Sequence, residues 1–275
     1  MSQKRQGVIF DRLVNLRGEM ATLTHDYPSG HVIPWHFHDR DQLVYGSRGV
    51  MTVRTEGGTW VVPTQRAVWI PARVPHTITM SGRVAMRTLY IKPGLARRLP
   101  RACCVVNVPA LLRQLILHAC EQREWRKRRE DSIGVLRRRL RKQRPVIDLI
   151  VDQLEAIQRV GLQLPHLTDA RAARVAQKLM SDPSNQQTLA QLCKNAGAGK
   201  RTVERLFQEQ AGMSFGKWRQ QLRLMQAVQL LAEGAKVTHA AMEAGYSSPS
   251  AFIVVFKKVL GTTPRVYFAD SSSSL

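Results

Sequence analysis

The sequence predicts an α+β protein, with an N-terminal antiparallel β domain followed by an all-helical C-terminal domain. The chain has 275 residues, which is enough for two domains of roughly 150 residues each. Residues 20–95 are rich in Val, Trp, Ile and Tyr and are interrupted by Gly and Pro at short intervals, a pattern typical of strands and turns. From Asp169 onward, apolar residues recur at helical spacing between short turns, which predicts helices.

The charge of the chain favours a polyanionic partner. Lys and Arg number 42 and Asp and Glu number 20, giving a formal net charge of +22. Such an excess is typical of proteins that bind nucleic acid or an acidic membrane surface. A hydrophobic share of 44% excludes a disordered basic tail. No apolar run approaches the roughly 18 residues of a transmembrane helix, and the N-terminus lacks the apolar core of a secretory signal, so we expect neither.

The cysteines predict a reduced, cytoplasmic protein. There are four, Cys103, Cys104, Cys120 and Cys193, and no two of them form a CxxC pair. Structural zinc sites and disulfide frameworks use spaced cysteine pairs. The sequence therefore favours a protein with neither a zinc finger nor a disulfide scaffold.

Residues 1–95 form the first predicted domain, which Pro93 and Gly94 close. The span has little helical periodicity, so its natural form is a small antiparallel barrel or a sandwich. Residues 96–168 follow as a helical linker that is dense in arginine between residues 97 and 144. That stretch is either a solvated basic helical face or a surface that contacts DNA or a partner. Within it, residues 105–160 are the candidate region for dimerisation or signal relay.

Residues 169–270 form the second predicted domain, which contains one pattern twice. A short helix, a Gly-containing turn and a basic amphipathic helix read TLAQLCKNAG-AG-KRTVERLF in the first copy and VTHAAMEAG-YSS-PSAFIVVFKK in the second. A helix-turn-helix needs small residues where its helices cross and a turn residue that tolerates positive φ. The candidates are Ala190, Ala196, Ala240 and Ala244 at the crossings, and Gly197 and Gly245 in the turns. The serine tail, residues 271–275, should be disordered.

The second helix of the first copy has one apolar and one polar face. Val203, Leu206 and Phe207 face inward, and Arg201, Glu204, Arg205 and Gln208 share the opposite face at i, i+3, i+4, i+7 spacing. Arginine can bind guanine O6 and N7 with two hydrogen bonds, and glutamate can accept from cytosine N4. This face therefore carries the side chains of a DNA recognition helix, with Lys200 suited to the phosphate backbone.

The second helix of the second copy begins with a helix-start signal. Ser248 and Pro249 suit the N-cap and N1 positions, so the helix presents free N–H groups to a phosphate. Phe252, Val255 and Phe256 are expected to pack inward, whereas Ser250, Ala251 and Val254 point outward and Lys257 and Lys258 suit phosphate contacts.

The repeat resembles the DNA-binding half of the AraC/XylS family of bacterial transcription regulators, over about 100 residues from Arg171 to Asp270. The resemblance rests on Ala241, Ala244, Gly245, Tyr246, Ser248, Phe252, Phe256, Lys257, Gly261 and Pro264. It implies that the two motifs enter successive major grooves on one face of the DNA. The helix between them, residues 215–233, would be about 28 Å long, which is compatible with the roughly 34 Å between successive grooves.

The same resemblance implies base-reading roles for six residues. Arg201, Glu204 and Arg205 would read bases in the first site, and Ser250, Ala251 and Val254 would occupy the second. The chain departs from its relatives at Val254, where arginine is frequent. Because valine can touch a thymine methyl group but cannot hydrogen-bond a base, readout by the second motif is expected to be weaker.

The N-terminal domain carries a histidine pattern that resembles the first cupin motif. Gly30, His36, His38, Gln42 and Gly49 have the motif's spacing, with Gln in place of the usual Glu. A second motif keeps Pro71 and His76 but has Arg73 where glycine is typical. The resemblance covers about Thr24 to Lys92 and implies a small β-barrel similar to sensor domains that are fused to AraC/XylS DNA-binding halves.

The histidines form the candidate effector pocket, His36, His38, Gln42 and His76. An HxH pair on a strand puts both imidazoles on one face, and a third histidine from a later strand can complete a facial triad for a metal ion. Three interpretations stay open: a divalent metal on His36, His38 and His76, an organic ligand anchored by these polar groups, or histidines of the core. Gln42 is the candidate for a weak, neutral fourth ligand, and its lack of negative charge weakens the case for metal.

Together these patterns predict a sequence-specific, ligand-responsive transcription regulator that is not an enzyme. Promoter DNA and a small-molecule or metal effector are the expected partners. The resemblance adds RNA polymerase as a partner and activation as the more frequent mode, and it allows a homodimer. Two alternatives remain: a metal-dependent cupin enzyme with a basic helical assembly domain, and a protein that packages nucleic acid without sequence preference.

Overall fold

The computed structural model describes residues 18–122, 133–156 and 163–269, and the side chains of residues 133–140, Lys142 and Ala269 are not described. The described chain divides into two compact units. The first contains residues 18–53, 62–122 and 133–156, and the second contains Arg54–Val61 and residues 163–269. The expected serine tail and arginines 123–129 lie outside the described residues.

The first unit is an antiparallel sheet with two helices. Its strands are β1 (Met20–Tyr27), β2 (Val32–His36), β3 (Asp41–Thr55), β5 (Arg66–Ile70), β6 (His76–Ile91) and β7 (Cys104–Asn107), and its helices are α1 (Ala110–Glu121) and α2 (Ile133–Ala156). β1 and β2 both pair with β6, β6 neighbours β3, and β5 joins β3 to β7. The predicted antiparallel β domain is confirmed, as a loosely barrel-like sheet that does not close.

Alternation along the strands gives this sheet two different faces. Side chains such as Leu43, Tyr45 and Trp69 pack with buried residues of α1 and α2 in one apolar cluster. Gln42 precedes Leu43 on the same strand and therefore points to the other face. The apolar face supplies the core, and the other face receives the polar residues of the site described below.

Two strands lie where the sequence predicted only helix and linker. β7 falls in the expected helical span 96–168, and β8 (Gln163–Pro165) falls in the expected linker. Pro93 and Gly94 therefore do not end the β structure. β7 pairs with β5 over four residues, from Trp69 opposite Cys104 to Arg66 opposite Asn107. A strand of three or four residues is too short to show an alternation of apolar and polar residues in the sequence. Such a strand forms because it pairs with a strand that is distant in the chain.

Arginine pairing explains part of the arginine-dense stretch. Arg144 on α2 donates to Glu19 at 2.6 Å and pairs with Asp148 one helical turn away. Arg98 lies 3.6 Å from Glu155. These arginines are solvent-exposed and paired within the first unit, which fits the solvated-face interpretation for these two positions.

The second unit contains seven helices among its described residues. They are α3 (Ala170–Ser181), α4 (Leu189–Ala196), α5 (Lys200–Ala211), α6 (Phe215–Ala232), α7 (Val237–Glu243), α8 (Pro249–Leu260) and α9 (Pro264–Ala269). α4–α5 and α7–α8 form the two predicted helix-turn-helix motifs, and Gly197 and Gly245 have positive φ values of 63° and 82°. Ala196, Ala240 and Ala244 are buried as expected, whereas Ala190 is exposed and takes no part in the crossing.

Side-chain caps set the helix starts in this unit. Asp169 accepts from the backbone N–H of Arg171, Thr188 and Gln191 form a reciprocal capping box, and Ser248 accepts from Ala251 with Pro249 in the first turn. The linking helix α6 has 18 residues, about 27 Å at about 1.5 Å per residue. None of the helices in the described ranges has the length and apolar content needed to cross a membrane.

Residues Arg54–Val61, at the end of β3 and in most of the next strand, β4 (Gly58–Val62), belong to the helical unit. There β4 pairs antiparallel with β8, with Gly58 opposite Pro165. The His166 ring contacts the backbone oxygen of Glu56 at 3.1 Å and the hydroxyl of Thr59 at 3.2 Å. Trp218 on α6 donates its indole N–H to the Pro165 oxygen at 3.2 Å. The segment expected as a linker is thus a strand packed on α6.

Candidate histidine site and nucleic-acid interface

Three histidines of the sheet unit converge at one point. His36 ends β2 and pairs in register with His76 at the start of β6, and His38 follows two residues after His36. The ring centroids of His36 and His76 are 4.2 Å apart, and those of His38 and His76 are 5.2 Å apart. One potential ligand atom from each ring lies within 4.8 Å of the other two. Sequence spacing therefore placed the right three residues together.

Backbone carbonyls orient all three rings. Nδ1 of His36 lies 2.7 Å from the Pro34 oxygen, Nδ1 of His38 lies 2.7 Å from the Arg40 oxygen, and Nδ1 of His76 lies 2.9 Å from the Val74 oxygen. A carbonyl oxygen can only accept, so Nδ1 of His36 and Nδ1 of His76 carry protons. In these two neutral rings Nε2 keeps its lone pair, which is the arrangement that positions histidines for metal ions. The His38 ring faces oxygen atoms at both nitrogens, the Arg40 carbonyl at Nδ1 and the Gln42 amide at Nε2, and a neutral ring donates to only one of them.

Burial keeps these rings neutral. Desolvation lowers the pKa of His76 to about 3, with the nearby His36 ring acting in the same direction. Desolvation also lowers the pKa values of His36 and His38. The His76 side chain is fully buried, and its Nε2 has no hydrogen-bond partner among the residues that the structure describes. A buried lone pair of this kind can coordinate a cation or accept a hydrogen bond from a ligand N–H group.

Gln42 is buried behind the histidines and joins them to β6. Its amide oxygen lies 2.9 Å from Nε2 of His38, and its amide nitrogen lies 3.2 Å from the hydroxyls of both Thr88 and Tyr90. The predicted pocket residue thus contacts a predicted histidine. Nε2 of His38 cannot bond to Gln42 and bind a cation at the same time.

Thr88 and Tyr90 are site residues that the sequence reasoning missed. Tyr90 is fully buried, stacks edge-on against His38 at 5.0 Å, and has its pKa raised by desolvation. Thr88 donates to the Leu43 oxygen at 2.7 Å. The available signal was their i, i+2 spacing, which puts both on one face of β6. Only the antiparallel partner strand shows that this face is the face of Gln42.

Arg73 has the backbone conformation that explains why glycine is typical there. Its φ of 64° is left-handed, and it is the only non-glycine residue with positive φ in the described ranges. Its backbone N–H donates to the His38 oxygen at 2.8 Å, and its Nε donates to Asp39 at 2.9 Å. Ala72 donates to Asp41 at 2.8 Å. These bonds hold the chain around His38 against the loop that leads to His76.

The first candidate recognition helix, α5, presents its polar face to solvent. Lys200, Arg201, Glu204 and Arg205 are exposed, and Val203, Leu206 and Phe207 are buried on the other side. Arg205 donates to Glu209 at 2.8 and 3.0 Å, and Lys200 lies 3.8 Å from Glu204. Three of these four side chains, Lys200, Glu204 and Arg205, are therefore held in exposed ion pairs along the helix, and such pairs are weak.

The second candidate recognition helix, α8, has a more apolar exposed face. Val254 is 68% exposed, Ser250 is exposed, and Ala251 is half-buried. Phe252 and Phe256 are buried as expected, whereas Val255 is only half-buried. Ser248 uses its hydroxyl as the N-cap acceptor at 3.1 Å from the Ala251 nitrogen. Lys257 and Lys258 are exposed in the last turn, where positive charge also suits the helix dipole.

Both units match known families. Residues 21–132 match the family described as AraC-like ligand binding domain, and residues 192–270 match a family described as Helix-turn-helix domain. The HTH-type transcriptional regulator NimR of Escherichia coli (strain K12) is 34% identical over 236 residues, which are 86% of this chain and 82% of that protein. The HTH-type transcriptional regulator RipA of Corynebacterium diphtheriae is 34% identical over 104 residues, 38% of this chain and 31% of that protein.

Among solved structures, ToxT from Vibrio cholerae matches with a TM-score of 0.38 and 12% identity, over 92% of this chain and 98% of that chain. A likeness at this level says nothing about ligand or mechanism.

Proposed function

This chain belongs to the AraC family of helix-turn-helix transcriptional regulators, and we propose that a divalent metal ion held by His36, His38 and His76 controls its binding to promoter DNA. The family match establishes a regulator with a ligand-binding domain and a DNA-binding domain. It also disfavours the enzyme alternative, because the relatives are named as transcriptional regulators.

The observation that carries the metal assignment is the convergence of three neutral imidazoles. Backbone carbonyls accept from Nδ1 of His36 and of His76, and one ligand atom from each of the three rings lies within 4.8 Å of the others. Imidazole nitrogens suit ions such as Zn²⁺, Ni²⁺ and Cu²⁺. The neutral Gln42 contributes no charge to balance a divalent ion, so the site is suited to reversible occupancy rather than to a permanent cofactor. When bound, the ion supplies positive charge and three coordination bonds at this point.

Gln42 provides a physical link from the site to the rest of the sheet. A ligand at Nε2 of His38 would displace the amide oxygen of Gln42, whose amide nitrogen contacts the hydroxyls of Thr88 and Tyr90. Gln42 lies at the start of β3, and the last two residues of that strand, Arg54 and Thr55, belong to the helical unit. The effector thereby changes the relative population of two arrangements of this strand.

DNA binding uses the two exposed helix faces. We assign base contacts to Arg201, Glu204 and Arg205 on α5 and to Ser250, Ala251 and Val254 on α8. Lys200, Ser248, Lys257 and Lys258 serve the phosphate backbone. The roughly 27 Å of α6 supports docking in successive major grooves about 34 Å apart. The proposal also includes activation through RNA polymerase, which rests on the family resemblance. It includes a homodimer through the central span 105–160 and a cytoplasmic location, which the cysteines favour because no two of them form a CxxC pair.

Footprinting on the DNA upstream of this protein's own gene tests the proposal. We expect protein that was stripped with a chelator and then reloaded with Zn²⁺ to protect two successive major grooves, and the stripped protein to protect them at higher concentration only. His76→Gln should abolish the difference between the two states. His118→Ala is the matched control, since His118 is exposed on α1.

Each alternative gives a different pattern in that experiment. Specific protection that is indifferent to Zn²⁺, Ni²⁺ and Cu²⁺ would overturn the metal assignment and favour an organic effector. Equal protection of every sequence, with a steep dependence on salt, would overturn specific regulation and favour packaging.

A further inference from the structure

A junction of three segments inside the helical unit connects the two helix-turn-helix motifs. The segments are the loop 183–187 ahead of α4, the middle of α6, and the Gly245 turn between α7 and α8. We infer that this junction determines the relative position of the two recognition helices and therefore the spacing of the half-sites that the protein accepts. The inference rests on the proposed docking of α5 and α8 in successive grooves.

Two arginines of α6 bind the backbone of the loop. Arg219 donates to the oxygen of Gln187 at 2.7 Å and also to that of Asn185. Arg223, one turn later on the same face, donates to the oxygens of Asn185 at 2.8 Å and Pro183 at 3.4 Å. Partial burial lowers the pKa of both guanidiniums. Their hydrogen-bonding capacity is thus directed at the loop, which identifies them as positioning residues rather than phosphate contacts.

Gln186 extends the contact to the second motif. Its amide nitrogen donates to the Gly245 oxygen at 3.1 Å, while its amide oxygen accepts from Arg223 at 3.2 Å. An amide is the group that can donate to a carbonyl with one end and accept from a guanidinium with the other. The chain ahead of the first motif is therefore bonded directly to the turn of the second.

Gly245 allows the two segments to pack without a side chain between them. With a φ of +82°, a Cβ at this position would lie 2.9 Å from the Pro183 oxygen, 2.9 Å from Cα of Ser184 and 3.0 Å from Nε of Arg223. The sequence alone assigned Gly245 only to a tight turn. The structure shows that it is also the point where the loop touches the second motif.

A junction of this kind has a specific consequence for DNA recognition. Successive major grooves on one face are separated by about 10.5 base pairs, so a rigid pair of helices matches one spacing. If the two recognition helices are held less rigidly relative to each other, docking of the second helix costs additional conformational entropy. The loss of affinity caused by a wrong half-site spacing then becomes smaller. The junction should therefore affect discrimination between spacings and leave binding to one half-site unchanged.

The experiment compares the full-length wild type, Gln186→Ala and Gln220→Ala. Gln220 is an exposed glutamine on α6 and serves as the matched control. Affinity is measured for the footprinted operator, for versions with one or two base pairs inserted between half-sites, and for an isolated half-site. For Gln186→Ala we expect the affinity ratio between native and altered spacing to fall by about two- to tenfold, the worth of one hydrogen bond, with half-site affinity unchanged.

Arg223→Lys keeps the charge but not the forked geometry. We expect it to lower the spacing ratio in the same way, with an unaltered salt dependence of binding. An unchanged ratio in both variants would overturn the inference, as would an equal loss of half-site affinity. The proposed function is tested separately: protection of two successive major grooves by the wild type would support it, whether or not the two variants change the spacing ratio.

Discussion

The side-chain oxygen of Gln42 lies 2.9 Å from Nε2 of His38, the nitrogen through which that ring would bind an effector. The amide of Gln42 also contacts Thr88 and Tyr90, so in the proposed mechanism an effector on His38 would release Gln42 and alter these contacts. The residue that replaces the usual cupin glutamate is thus a sensor of occupancy in the proposed mechanism, rather than a fourth ligand.

Gln42→Glu should tighten divalent-ion binding by at least about tenfold, near 1.4 kcal/mol, because a carboxylate adds the negative charge that the histidines lack. Isothermal titration of Zn²⁺ into chelator-stripped protein measures it. The stripped variant should also unfold more easily than wild type, since the carboxylate is then buried without a cation. Equal Zn²⁺ affinity in the two proteins would contradict the assignment.

Arg205→Ala should weaken binding to the cognate site by about 1–3 kcal/mol and relax the base preference there. Glu209→Ala should have the opposite effect on affinity, because it removes the exposed partner that holds Arg205 at 2.8 Å. Competition binding against random duplex measures both. Lys92→Ala removes the same charge from an exposed position of the sheet unit, and a loss of specificity as large as that of Arg205→Ala would identify a general charge effect.

Val254→Arg should increase affinity for the operator and create a new base preference in the second half-site, because Val254 is 68% exposed on α8 and arginine can read guanine. Val266→Arg adds the same charge at a 50% exposed position of α9. Selection from randomised half-sites distinguishes them. If both variants gain affinity without any new base preference, α8 does not read the second site.

Trp218→Phe should destabilise the helical unit by about 1 kcal/mol, because the indole donor to the Pro165 oxygen is lost. The bond measures 3.2 Å and attaches β8 to α6. Urea unfolding followed by circular dichroism provides the measurement. Trp35→Phe is the control, since Trp35 is 57% exposed, and equal destabilisation by both changes would show that the hydrogen bond is not the cause.

Asp169→Asn should remove one source of acid sensitivity. The Arg171 side chain and backbone N–H lower the pKa of Asp169 to about 2. A carboxyl group with a lowered folded-state pKa stabilises the fold above its unfolded value of about 3.9, and that contribution disappears as the pH falls through about 2. Asparagine keeps the cap acceptor but does not titrate in this range. The difference in stability between the two proteins should therefore narrow from pH 5 to pH 2 in urea titrations, and a constant difference would refute it.

Local signals in the sequence were sufficient for the helical domain. A few neighbouring residues determine the positive φ values of Gly197 and Gly245, the Ser248 cap and the buried face of α5. Patterns of this kind can therefore be recognised in the sequence alone. The convergence of His36 and His38 was predicted, but the expected reason was wrong: β2 ends at His36, and His38 lies in the loop before β3 rather than on the same strand. The crossing role of Ala190 was wrong, since a small residue alone does not tell which face is buried.

Periodicity, turn residues and residue spacing were sufficient to predict the two domains, the tandem motifs and the three histidines. The open sheet, the strands β7 and β8, and the contacts of Gln42 with Thr88 and Tyr90 became apparent from the folded chain. So did the contact of Gln186 with Gly245. Each of these depends on residues that are far apart in the chain, and strand pairing and packing, rather than local preference, select their partners.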